Sequence, residues 1–228
     1  MNFICDSSSL ISLVETCNLS ALNFLKEKKK ASFLVPPAVV YEIIENPLHI
    51  HRYAFAALRL KRALREGVLQ PFEIPALGQK TREILQFSNN IFSVNGAPLK
   101  ILHPGEAECL AGYAASSASG IVVDEKTTRL LIESPQILLE SLRDEYGNGV
   151  KVSQSSLNQL RQRIESFTAL RSTEILAVAF ENGYFEPFKE DEADAFHSAT
   201  YALRQAGCSI TSAELAEYER CFRPTSSP

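Results

Sequence analysis

The sequence predicts a three-layer α/β/α fold with a central, mostly parallel sheet. Short apolar runs, of the length of buried strands, alternate with longer amphipathic segments through the first two-thirds of the chain. These runs are continuously apolar, as expected for parallel strands that are covered on both faces. The 228 residues are 45% hydrophobic and 22% charged, which is typical of a globular protein with a sizeable core.

Each expected strand is an apolar run that ends at a carboxylate or is interrupted by proline. Pro36 stops the second run and Pro37 is well placed to open a helix, whereas Pro71 weakens the third run. The four strands are predicted at residues 3–5, 32–35, 69–74 and 121–123.

The amphipathic segments predict helices with recognisable ends. The serines at 7–9 are expected to cap the first helix, Asn46 and Pro47 break the chain, and Gly183 ends a later helix. Residues 89–100 are expected to form a loop, and residues 133–162 to be less regular. The first helix is predicted to begin at Leu10, and the others to occupy residues 19–28, 38–45, 51–66, 76–87, 106–117, 127–132, 173–182, 190–205 and 212–221.

Composition and charge exclude several classes of function. A net charge of −4 and an isoelectric point of about 5.7 are not those of a histone-like binder of polyanions. No apolar run reaches the ~18 residues that span a bilayer, and no basic segment opens a signal peptide, so we expect a cytoplasmic protein with no membrane partner. The cysteines have no metal-ligand spacing, which indicates free thiols: Cys5, Cys17, Cys109, Cys208 and Cys221.

Four acidic residues are candidates for a joint site. Asp6 and Asp124 each follow an apolar strand, and ligands bind beyond the carboxyl ends of parallel strands. Glu42 and Glu106 lie near helix N-termini, where each alone is explained by the helix dipole. Together, four carboxylates at one rim repel one another unless a hard divalent cation such as Mg²⁺ or Mn²⁺ neutralises them. Such ions support phosphodiester chemistry.

The order of the motifs resembles the PIN-domain nucleases, in particular a GEAE-type, VapC-like subgroup. The chain carries ICDSSSLISL, LVPPAVVYEII, HPGEAECLAGYA and GIVVDEKTTRLL in that succession, and RSTEILAVAFENGYF is similar to the closing strand-to-helix segment of the family. These motifs cover roughly half of the chain. The sequence departs from compact members of the family by its greater length.

The resemblance implies a metal-dependent nuclease, more specifically a ribonuclease that uses Mg²⁺ or Mn²⁺ to activate water. It implies that Asp6, Glu42, Glu106 and Asp124 are both catalytic residues and metal ligands, and that Ser8 supports the first aspartate. A non-catalytic module that binds RNA or a protein partner is the alternative class. Within enzymes, the alternative is the toxin of a toxin–antitoxin pair.

Several neighbouring residues compete for a role. Glu108 is a rival of Glu106, because residues two apart on a helix point in different directions. Glu125 is expected to start a helix and to point away from the site. Arg129, on the helix after Asp124, is a candidate substrate-binding residue.

The domain prediction is a nuclease domain at residues 1–185 with insertions near 47–100 and 133–163, followed by a helical extension at 186–228 packed on it. The expected partners are RNA or another single-stranded nucleic acid, an antitoxin-like protein and a second copy of the chain in a homodimer.

Overall fold

The computed structural model describes residues 1–164 and 167–222. Its strands are short, and eight of them lie in the described part of the chain. In chain order they are β1 (Asn2–Cys5), β2 (Ser32–Val35), β3 (Leu69–Pro71), β4 (Phe92–Val94), β5 (Ala97–Pro98), β6 (Gly120–Val122), β7 (Val150–Val152) and β8 (Ala169–Leu170).

A five-stranded parallel sheet with the order β3-β2-β1-β6-β8 lies at the centre and is flanked by helices, which confirms the predicted fold class. Strand β1 is central: Ile4 pairs with Leu34 on one side and with Ile121 on the other. The side chains of Ile4, Phe33 and Ile121 are at most 1% exposed, as expected for continuously apolar strands between two layers of helices.

The helices follow the amphipathic segments closely. They are α1 (Ser7–Glu15), α2 (Ser20–Lys29), α3 (Pro37–Val40), α4 (His51–Arg65), α5 (Leu77–Ser88), α6 (Pro104–Ala114), α7 (Lys126–Glu133), α8 (Pro135–Tyr146), α9 (Gln154–Arg163), α10 (Ser172–Glu181), α11 (Glu192–Gln205) and α12 (Ser212–Cys221). After α3 the chain widens into a π-helical turn at Tyr41–Glu45, closed by a hydrogen bond of 3.0 Å from Asn46 N to Tyr41 O.

Two segments are more regular than their sequence predicts. The expected loop at 89–100 holds strands β4 and β5, joined by Asn95 and Gly96, which both have positive φ as an Asn-Gly hairpin turn requires. The segment at 133–162 forms α8, β7 and most of α9, and β7 completes a small antiparallel sheet of order β5-β4-β7. Both expectations were wrong. The strands were missed because strands of two or three residues leave almost no periodic signal. The helix α8 begins at Pro135, which is favoured at the first position of a helix.

The chain after residue 185 packs on the central layers through aromatic rings. Phe196 of α11 lies 4.8 Å from Phe180 of α10 and 4.9 Å from Phe222, measured between ring centroids. In the described part of the chain, no helix has the length and apolar character needed to cross a membrane.

Candidate active site

Asp6 lies at the carboxyl end of β1 and caps α1. Its Oδ2 accepts hydrogen bonds from Ser8 N at 3.0 Å and from Ser8 Oγ at 2.6 Å. The expected capping by the serines at 7–9 is therefore wrong: the aspartate side chain caps the helix, because it reaches the backbone N–H two residues on. The other oxygen, Oδ1, is buried and has no hydrogen-bond partner among the residues that the structure describes.

Glu42 lies in the π-helical turn and reaches the N-terminus of α6. Its Oε1 accepts a long hydrogen bond of 3.2 Å from Gly105 N. A Cβ atom at position 105 would lie between 2.5 and 2.9 Å from the Glu42 carboxylate, so only glycine allows this close approach. The glycine of the GEAE motif thus makes room for a carboxylate from another helix.

Glu106 and its rival Glu108 occupy different surroundings on α6. Glu106 accepts a hydrogen bond of 2.6 Å from His103 N and so caps its own helix. Glu108 instead accepts one of 2.6 Å from Ala38 N, at the start of α3. Each segment therefore binds a carboxylate of the other. Glu108 of α6 accepts from the start of α3, and Glu42, in the π-helical turn after α3, accepts from the start of α6.

The pKa shifts show which carboxylates lie close together. Burial, with a smaller contribution from the charge of Glu42, raises the pKa of Asp6 to about 6 against the hydrogen bonds from Ser8. Burial and then the charge of Asp6 raise the pKa of Glu106 to about 7, and Glu125 and Glu42 add to this shift. The charge of Glu42 thus acts on both Asp6 and Glu106, and the charge of Asp6 acts on Glu106. We call Asp6, Glu42 and Glu106 the acidic cluster.

The carboxylate of Glu108 interacts with only part of this cluster. Its pKa is raised by burial and by the charge of Glu42, while the hydrogen bond from Ala38 N opposes the rise. Asp6 acts on Glu106 but is not among the causes of the shift at Glu108. The electrostatics therefore favour Glu106 as the member of the pair that faces Asp6.

Asp124 lies at the same edge of the sheet, but its carboxylate is fully engaged by α10. Its Oδ1 accepts from Ser172 N and its Oδ2 from Ser172 Oγ, both at 2.7 Å, and its side chain is entirely buried. The link to the acidic cluster passes through Ser8, whose Oγ accepts from Asp124 N at 3.0 Å while it donates to Asp6. The structure thus joins Asp124 to the site through hydrogen bonds rather than through a shared carboxylate contact.

Ser172 is a residue that sequence analysis missed. It follows β8, the fifth parallel strand, and opens α10, so it reaches the carboxyl edge from the neighbouring strand. The signal available in the sequence was the serine at the start of the RSTE segment, a residue type favoured at helix N-termini.

Glu125 and Arg129 border the site on α7. Glu125 caps this helix through a bond of 2.6 Å from Thr128 N, as expected, but it does not point away: it lines a cavity of about 330 Å³ together with Glu106 and His103. Arg129 lies within 3.4 Å of both Ser209 Oγ and Glu133 Oε2, and it lines a second cavity beside Asp124.

The donor chemistry of the acidic cluster fits a hard divalent cation. The cluster offers only oxygen ligands, one of which is the buried and unpartnered Oδ1 of Asp6. Across residues 1–164 and 167–222, no three His, Cys, Asp or Glu side chains form a ready-made metal-ligand group. Glu42 and Glu106 are held instead by backbone N–H groups at the start of α6. To bind a cation, Glu42 and Glu106 would give up these hydrogen bonds.

A second charged group borders the site and differs from the acidic cluster in composition. Arg171 bonds Glu174 at 2.5 Å and Glu214 of α12 at 2.9 Å, and we call these three residues the Arg171 network. The guanidinium also donates to Ser209 O at 3.2 Å, and Ser209 N donates to Asp124 O at 3.0 Å. The segment before α12 is thereby fastened to the edge of the sheet.

Comparisons of the chain with family models, with curated proteins and with solved structures find no match. The resemblance to PIN-domain nucleases therefore rests on the sequence motifs, and what it implies about activity stays a prediction.

Proposed function

We propose that the chain is a metal-dependent nuclease that hydrolyses phosphodiester bonds, with RNA as its substrate. The observation that carries the proposal is the acidic cluster at the carboxyl edge of a parallel sheet, with a buried carboxylate oxygen that has no partner among the described residues. A structural role alone leaves this oxygen unexplained, because burying an unpartnered acceptor costs about 1–3 kcal/mol. The choice of RNA is supported by the motif succession.

In this proposal, Asp6 is the anchor of the site. Ser8 holds Oδ2, which fixes the side chain and leaves Oδ1 to bind the cation. Glu42 and Glu106 complete the ligand set, and Asp124, oriented by Ser172, supports it from the neighbouring strand. When bound, Mg²⁺ or Mn²⁺ supplies an activated water and stabilises the charge on the phosphoryl group.

Cleavage of RNA by the purified protein tests the proposal. With Mn²⁺ present, we expect wild-type protein to cleave a mixed-sequence RNA and Asp6→Asn to lose at least about 100-fold in rate. Asp191→Asn is the matched control, because Asp191 is an exposed carboxylate before α11 and should leave the rate unchanged. Equal cleavage by wild type and Asp6→Asn would refute the assignment.

Thermal unfolding with Mn²⁺ provides a test that does not depend on activity. A ligand that binds only the folded state at about 100 times its Kd stabilises it by about 2.7 kcal/mol. At roughly 2–4 °C per kcal/mol for a chain of this size, the wild-type Tm should rise by about 5–10 °C. Asp6→Asn should respond less. The same rise in both proteins would place the cation elsewhere.

The alternative functions stay predictions that these measurements separate. A non-catalytic module would bind RNA without cleaving it in either protein. A toxin would cleave RNA and be inhibited by an antitoxin-like partner. A homodimer would be detected by the mass of the protein in solution.

A further inference from the structure

A basic cavity of about 470 Å³ lies beside the candidate active site. It is formed by the first turns of α7, the last turn of α11 and the start of α12. Its cationic lining residues are Lys126, Arg129, Arg171 and Arg204, and Ser209 and Ser212 add hydroxyl groups.

The cavity adjoins the site because its walls are the chain neighbours of groups that hold Asp124. Lys126 and Arg129 belong to the helix that follows Asp124. Ser209, another lining residue, donates its backbone N–H to Asp124 O at 3.0 Å. A group bound in this cavity therefore lies next to the carboxyl edge of the sheet.

The cavity carries more positive than negative charge. Arg171 is balanced by Glu174 and Glu214, and Arg129 has Glu133 at 3.4 Å. Lys126 and Arg204 form no ion pair with any residue in the described ranges, 1–164 and 167–222.

Two helix termini border the cavity. Lys126 is the first residue of α7, where the helix dipole disfavours a cation, so its position gives α7 no local stabilisation. The N-terminus of α12 is capped by Thr211 and Glu214, so the excess of positive charge comes from Lys126 and Arg204.

We propose that this cavity binds a backbone phosphate of the RNA substrate, adjacent to the bond that is cleaved; the inference rests on the proposed nuclease function. The acidic cluster repels a polyanion, so RNA needs a positively charged contact nearby to be held in place. A phosphate is compact enough for the cavity.

The inference assigns a role to the helical extension. Arg204 and the residues before α12 lie beyond residue 185, and they reach the site because the Arg171 network fastens them there. The extension thus supplies six of the ten residues that line the cavity.

Binding of RNA without cleavage tests the inference. A short fluorescein-labelled oligouridine is titrated with protein in the Asp6→Asn background with EDTA, and anisotropy is followed at several salt concentrations. Lys126→Gln and Arg204→Gln should each weaken binding about fivefold and the double variant about 25-fold, with the salt slope falling by about 0.7 per lost cation. Lys126→Arg should retain the affinity.

Arg220→Gln is the matched control, because Arg220 is an exposed arginine of α12 that does not line the cavity. We expect it to bind like its parent. Unfolding temperatures of all variants should stay within about 2 °C of the parent, since surface substitutions change stability little.

Four outcomes overturn the inference. These are no binding of RNA by the parent, normal binding by the cavity variants, a loss in the control equal to that in the cavity variants, and competition by a polyglutamate peptide as strong as that by unlabelled RNA. If the wild-type protein still cleaves RNA and Asp6→Asn does not, the proposed function stands and only the inference is overturned. Cleavage that persists in Asp6→Asn overturns the proposed function, whatever the cavity binds.

Discussion

The acidic cluster and the Arg171 network border the same sheet edge, but only in the Arg171 network does a cation compensate the buried carboxylates. In the cluster, burial and like charges raise the pKa of Asp6 to about 6 and that of Glu106 to about 7. Among the causes of these shifts there is no cation, and the Oδ1 atom of Asp6 is unpartnered within the described chain. The cluster is therefore held together by the fold at a cost in stability.

In the Arg171 network each carboxylate faces a guanidinium. Burial would raise the pKa of Glu174, but the hydrogen bonds and charge of Arg171 lower it. The pKa of Glu214 is also lowered against burial, by Thr211 and Arg171. The comparison teaches that burial of carboxylates does not by itself mark a functional site. The proposal depends instead on the absence of a compensating cation beside the acidic cluster.

The largest expected effect comes from removing the guanidinium of the Arg171 network. Arg171→Met leaves Glu174 and Glu214 without their cation in a partly buried setting, and removing one partner of a buried ion pair costs about 3–4 kcal/mol. We expect the Tm to fall by about 6–16 °C, measured by calorimetry or circular dichroism.

Arg62→Met is the control for this variant. Arg62 pairs with Glu66 on the surface of α4, where solvent screens the interaction, so no measurable change is expected. If both variants unfold at the same temperature, the Arg171 network does not fasten the extension.

The next effect is a loss of stability as pH rises, which the acidic cluster produces and the Arg171 network does not. The pKa of Asp6 is raised from its ordinary value of 3.8 to about 6, so between these values the folded protein holds a proton that the unfolded chain has released. Stability from this group is full below the lower value and is lost as pH rises through the upper one. For a shift of about two units, the loss is about 2–3 kcal/mol.

The Asp6→Asn variant has no carboxyl group at this position, so it does not lose stability in this way as pH rises. With EDTA present, its stability relative to wild type should therefore increase by about 2–3 kcal/mol between about pH 4 and pH 7, measured by urea unfolding. Glu174→Gln is the control, because the pKa of Glu174 is lowered and the sign of its effect is opposite. A constant difference between Asp6→Asn and wild type across this range would contradict the raised pKa.

Much of the fold follows from the sequence because it depends on local patterns. The runs at Phe3 to Cys5 and Ile121 to Val123 are apolar on both faces, and they became the central strands. The small sheet has strands too short to leave a periodic pattern, and its one local signal is the dipeptide Asn95-Gly96, which is typical of a hairpin turn.

The candidate site was predicted by type and order of residue rather than by geometry. Asp6, Glu42 and Glu106 come near one another because the carboxyl end of β1, the π-helical turn after α3 and the N-terminus of α6 lie at one edge of the sheet. The bonds of Ser172 to Asp124, and those of Arg171 to α12, join residues distant in the chain and leave no periodic trace in the sequence. Such contacts depend on tertiary packing, which local patterns do not encode.

The smallest expected effect comes from a single hydroxyl group, that of Ser8. Ser8 is the only side chain that donates to Asp6 among the described residues, and its two hydrogen bonds lower the pKa of that carboxyl group. Ser8→Ala removes the bond from Oγ, which favours the charged form, so the pKa of Asp6 should rise above about 6.

The variant also removes the acceptor of Asp124 N, so its stability should fall by about 1 kcal/mol, and by more at about pH 8 than at about pH 5, because the lost bond stabilised the ionised carboxylate. The titration is followed through the ¹³C shift of the Asp6 carboxyl carbon, with EDTA present. Ser7→Ala is the matched control: it removes a neighbouring hydroxyl but keeps the backbone N–H that also lowers the pKa of Asp6. If the two variants titrate alike, the Ser8 hydroxyl does not tune the aspartate, and the pKa of Asp6 is set by burial, by Glu42 and by the backbone N–H groups of Ser7 and Ser8.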